Sequence, residues 1–187
     1  MDIQSLYYDL QTFYNANRRA HHFLNPRYEM NYNTLTWEKH IPNEKFDTYH
    51  EYYDWAVNKI QYSFMLQDES IVQIFFEGEP KKKKFIVTKG SMAYLPRPDK
   101  YSEYFRFDVD YKSAQHFNHT AYHVHFGYRA KDVRFSLFHF PAPSEFIKFI
   151  LSLDYNQPQQ CFNAQNFFKD LDEINNNYNH SLRFVTE

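Results

Sequence analysis

Residues 104–128 read YFRFDVDYKSAQHFNHTAYHVHFGY. Within them Phe105, Phe107 and Val109 alternate with Arg106, Asp108 and Asp110, and a period of two sends the two sets to opposite faces of a strand. Residues 121–127 repeat the pattern, with Tyr122, Val124 and Phe126 opposed to Ala121, His123, His125 and Gly127. Just downstream, Val133, Phe135 and Leu137 oppose Arg134 and Ser136. Three consecutive strands thus each carry one apolar and one polar face, and short connections predict that they pair antiparallel.

Upstream the same periodicity continues. IQYSFMLQDESIVQIFFEGE, 60–79, reads as two strands joined at 67–70, and KKFIVTKGSMAYLP, 83–96, adds another, so a meander begins near Ile60. Between these strands EGEPKKKK, 77–84, supplies Gly78, Pro80 and four consecutive lysines. Lysines there guard a sheet against edge-to-edge pairing or offer a weak handle for nucleic acid.

Helical spacing brackets the sheet. Ile3, Leu6, Tyr7, Leu10, Phe13 and Tyr14 give an amphipathic helix over 2–17, and FDTYHEYYDWAVNK predicts a second over 46–59. The segment 17–31, with Pro26, reads as a loop, and its Arg18, Arg19, His21 and His22 suit either a helix C-terminus or a phosphate. Pro143 and Ser144 start a helix whose Phe146, Ile147, Ile150, Leu151 and Leu153 cover an apolar face. A short helix near 160–173 and the Asn-rich tail INNNYNHSLRF complete the chain. The expected fold is α+β, a curved antiparallel meander with N-terminal and C-terminal helices packed on one face.

The chain's 187 residues fit a single domain, 1–187, and no linker-like run interrupts them. Phe and Tyr number 20 and 17, so rings replace much of the usual Leu and Val in the core. A formal net charge of −2 gives no whole-molecule attraction to nucleic acid or to an anionic membrane, leaving only local patches for such partners. The lone cysteine, Cys161, excludes an internal disulfide framework and reads as a small buried hydrophobe. No signal-peptide pattern and no 18-residue apolar run occur, so the expected location is the cytoplasm and no membrane partner is expected.

On the polar face, Arg106, Asp108, His123, His125 and Arg134 form an acid, base and cation set. Metal-free RNA cleavage uses such groups: a base for the 2′-hydroxyl, an acid for the leaving 5′-oxygen, and a cation on the phosphoryl oxygens. His123 and His125 would be base and acid, Arg106 or Arg134 the phosphate clamp, and Asp108 the group orienting an imidazole. A metal site is the competing chemistry, with His123, His125 and Asp108 or Asp110 as ligands and His116-x-x-His119 nearby. A third reading needs no chemistry, since a half-solvated antiparallel sheet also alternates polar with apolar residues. Five histidines between 116 and 139 tip the balance toward a site, with His139 kept as structural.

YFRFDVD, the loop SAQHFNHTAYHVHFG and PAPSEFIKFILSLDYN together resemble an uncharacterised bacterial family, domain of unknown function 2290, over about residues 60–155. Arg106, Asp108 and Asp110 match its Arg-Phe-Asp-x-Asp motif, His119 or His116 its loop histidine, His123 its strand histidine, and Phe146 to Tyr155 its closing helix. The family's His-Pro step is replaced here by Asn118-His119-Thr120. More distantly, an Arg-x-Asp strand followed by a His-x-His strand is similar to small bacterial toxins of the TumE type. The first family carries no agreed activity; the second resemblance implies a toxin-like or phage-defence nuclease, and with the polar-face set the expectation is a protein that cleaves or binds RNA. The alternative is a non-enzymatic subunit or inhibitor in such a system, whose Tyr-rich surface binds a protein partner.

Overall fold

A computed structural model describes residues 1–17, 23–24, 26–37, 45–99, 104–112, 121–127, 134–137 and 139–152. The elements are α1 (Ile3–Asn17), β1 (Phe23–Leu24), β2 (Glu29–Asn31), β3 (Thr34–Thr36), α2 (Tyr49–Asn58), β4 (Phe64–Leu66), β5 (Ile71–Lys81), β6 (Lys84–Leu95), β7 (Phe105–Asp110), β8 (Tyr122–Phe126), β9 (Arg134–Ser136) and α3 (Pro143–Ser152). The fold is α+β, built on one open, curved, antiparallel sheet that has nine strands among the described residues, ordered β1-β4-β5-β6-β7-β8-β9, with the β2–β3 pair attached to β5 through β3. From β4 to β9 the strands pair in chain order, as the alternation predicts. The strands β1, β2 and β3 fall in and just after the segment read as a loop; each is only two or three residues long, too short for a period to register. The helix near 160–173, Cys161, the tail, and the 18–22 patch lie outside the described residues.

The long β5–β6 hairpin is the spine. All four lysines at its tip are exposed, and Lys82 takes a left-handed φ of 59° in the turn. The register shifts between Glu77 and Gly78, leaving Thr88 of β6 as an extra residue without an opposite number, and an irregularity of this kind increases local twist. Further along, Gly90 lies opposite Phe76, and a Cβ there would stand 2.3 Å from the Phe76 ring. Only glycine lets that ring cross the neighbouring strand.

One face of the sheet holds the main core. Val72, Ile74, Phe76, Met92, Phe105, Phe107, Val109 and Val124 are buried there under Ile3, Leu6 and Leu10 of α1 and Phe146, Ile147, Phe149 and Ile150 of α3. Phe107 meets Phe146 and Phe149 edge-on, with centroids 5.3 and 6.2 Å apart, the arrangement that ring quadrupoles favour. Both helices are tied at their starts by carboxylates. Asp2 accepts hydrogen bonds from the Ser5 N–H and Oγ, while Asp9 of α1 accepts from the N–H and Oγ of Ser144 in the first turn of α3. These bonds satisfy donors that a helix start leaves open.

The second helix packs on the opposite face, where sequence periodicity had assigned no cover. A Thr48/Glu51 capping box starts it, and its buried Tyr49, Tyr53 and Ala56 pack with Ile71, Ala93 and Leu95. These sheet residues alternate with the main-core set, so the polar strand face shares its side of the sheet with α2. No helix among the described residues is long and apolar enough to cross a membrane.

Candidate functional site

Strand register builds the site. Gln73, Ala93, Arg106, His125 and Arg134 lie in one row across β5 to β9, and Phe75, Ser91, Asp108, His123 and Ser136 lie in the next. Asp108 is therefore directly across from His123 and diagonal to His125, within reach of both imidazoles.

Asp108 is the hub. Its Oδ2 lies 3.2 Å from His125 Nε2 and 3.7 Å from His123 Nε2. Arg106, two residues back on the same face, donates from Nε to Oδ1 at 2.8 Å and from Nη2 to Oδ2 at 2.7 Å. The two imidazole rings meet edge-on with centroids 4.7 Å apart. Asp108, His123 and His125 each bring one ligand atom to this point, and the three atoms lie within 4.8 Å of one another.

This cluster is enclosed rather than spread over an open concave surface. His123 is 4% exposed, and the Asp108 and His125 side chains are 14% and 12% exposed. Arg106 reaches further out, at 38%. Burial pushes the Asp108 carboxyl up, but the hydrogen bond from His125 and the Arg106 guanidinium outweigh it and hold the group below the usual carboxylate range. Burial disfavours the Arg106 charge, yet the Asp108 carboxylate more than offsets this and raises the guanidinium above its ordinary value.

Of the residues read from sequence, Arg106, Asp108, His123 and His125 come together. Arg134 occupies the register position across from His125, and its side chain lies outside the described residues, as do His116 and His119. Asp110 is one row further along, where its Oδ1 accepts from the Lys112 N–H, so it does not join the cluster.

Sequence reasoning missed the neighbours from the older part of the meander and from α2. Gln73 sits in the Arg106 row; its Oε1 accepts from Tyr52 OH at 3.4 Å and its Nε2 donates to the Gln61 carbonyl at 2.7 Å. Tyr52, its hydroxyl pushed up by burial, and Tyr104 both interact electrostatically with Arg106. A glutamine inside the apolar run Ile71–Phe76 was the signal that could have found this corner.

The chain matches no family model, no curated protein and no solved structure. Resemblance to the uncharacterised family and to TumE-type toxins rests on the quoted motifs alone.

Proposed function

We propose that the protein is a toxin-like or defence-associated RNA-cleaving protein with its reaction centre at Arg106, Asp108, His123 and His125. The observation that carries this reading is the convergence of two imidazole nitrogens and one guanidinium on a single buried carboxylate. A carboxylate beside an imidazole fixes the ring's orientation and stabilises the imidazolium that forms when the ring takes a proton. His125, hydrogen-bonded to Asp108, is in this reading the base that takes the 2′-hydroxyl proton, the reverse of the order read from sequence, and His123 is the acid that gives the leaving 5′-oxygen its proton. Arg106 spends Nε and Nη2 on Asp108. Its Nη1 has no hydrogen-bond partner among the described residues, and in this reading that donor is the one left for the phosphoryl oxygens. Placement on paired strands gives the precision such chemistry needs.

The test is cleavage of bacterial total RNA by the full-length protein beside His125→Ala and Arg106→Gln. A proton-transfer role predicts that His125→Ala lowers the rate by about 10²–10⁴-fold, with the near-ultraviolet circular dichroism unchanged. An undiminished rate in folded His125→Ala would remove the proposal. If wild type also leaves RNA intact and instead forms a stoichiometric protein complex that survives the His123→Ala/His125→Ala double substitution, the non-enzymatic binding role replaces it.

A further inference from the structure

We propose that Asp108, His123 and His125 form a mononuclear site for a divalent transition-metal ion. The site goes beyond the proton-transfer reading above and replaces it at His125, because a ring nitrogen that ligates an ion cannot also take the 2′-hydroxyl proton.

The spacing is that of a coordination shell. Ligand atoms about 2.1 Å from zinc in a tetrahedral shell stand about 3.4 Å apart. The two Oδ2–Nε2 separations, 3.2 and 3.7 Å, bracket that span. One ligand atom from each of Asp108, His123 and His125 lies within 4.8 Å of the other two.

The enclosure of His123 also finds a use. An imidazole 4% exposed suits a ligand, which needs only to reach the ion. Arg106 becomes the outer partner: its Nε contact with Oδ1 at 2.8 Å fixes the carboxylate while Oδ2 faces the ion. Asp108 and Arg106 cancel in charge, so a dication leaves the site two positive. Three protein ligands leave a position open, and such a centre takes an anionic oxygen there, as a phosphodiester provides. Imidazole and carboxylate donors select zinc, manganese or iron(II) over magnesium or calcium.

The experiment strips full-length protein with chelator and loads it separately with Zn²⁺, Mn²⁺, Fe²⁺ and Co²⁺, followed by elemental analysis after gel filtration. One ion per chain is expected, with visible absorption for Co²⁺ and shifts of the His123 and His125 ring-nitrogen resonances on Zn²⁺ binding. His125→Ala and Asp108→Asn, checked for fold by circular dichroism, should each weaken binding by at least about 10–100-fold. Ring-nitrogen resonances that stay unmoved in wild type would overturn the site even if the variants fail to fold. Equal affinity in both folded variants would also overturn it. Metal binding without RNA cleavage would keep the site and remove the RNA reading; RNA cleavage by a protein that takes up no ion would do the reverse.

Discussion

Removing either member of the Arg106–Asp108 pair tests how far the cluster is a buried electrostatic unit. The pair is two-pronged, with Nε–Oδ1 at 2.8 Å and Nη2–Oδ2 at 2.7 Å. Its exposure is asymmetric, at 14% for the Asp108 side chain and 38% for Arg106. Exposed ion pairs contribute about 0.2–1 kcal/mol, whereas breaking a fully buried pair costs about 3–5 kcal/mol. Asp108→Asn leaves a guanidinium that still reaches water, so its cost should fall near 2 kcal/mol, well below the buried limit. Arg106→Met strands a carboxylate that is less exposed and should cost about 2–3 kcal/mol. Because each single change leaves the other charge behind, the double variant should be less unstable than the sum, with a coupling of about 1.5–2 kcal/mol. Urea unfolding of all four proteins in chelator, with matched m values, gives the cycle. A coupling below about 0.5 kcal/mol would refute the reasoning and make the contact an ordinary surface ion pair.

Gly90→Ala should destabilise by about 1–3 kcal/mol through overpacking, because its Cβ would stand 2.3 Å from the Phe76 ring; Phe76→Leu in the same chain should recover part of the loss, and additive costs in urea unfolding would count against the clash. The Asp2 carboxyl is pushed up by its burial, but the Ser5 N–H and hydroxyl and the Lys84 ammonium outweigh this and hold it below its ordinary value. A depressed folded value means that its stabilisation is complete above the unfolded value of about 3.9 and is lost as pH falls through the folded one. Asp2→Asn should therefore be less stable than wild type at pH 7, with the gap closing in acid; an equal gap at pH 3 and pH 7 would contradict this.

The meander and its polar face were legible because β7 and β8 alternate strictly. Once Arg106 and Asp108 share a face, antiparallel pairing with a His-x-His strand brings the four side chains together. Hydrophobic period alone did not tell on which side of the sheet α2 would lie. Its stripe of Tyr49, Tyr53 and Ala56 marks a buried helix face, but partner and side depend on Ile71, Ala93 and Leu95 being the other half of strands already assigned to the main core. That choice is tertiary, and with it goes the enclosure of the cluster. Gln73 was similarly hidden, since a single polar residue among Ile71, Val72, Ile74, Phe75 and Phe76 becomes meaningful only when register sets it in the Arg106 row.

The Asp9–Ser144 clamp joins positions 135 residues apart, and this separation orders events during synthesis. The first helix leaves the ribosome long before the segment that completes its packing exists. Until then the faces destined for α3 stay open to solvent, and closing so long a loop has an entropic cost before any contact offsets it. The contact between α1 and α3 is therefore made late, and nascent chains that stop short of residue 144 leave the part of the core destined for α3 uncovered, the condition under which chaperones engage and aggregation begins.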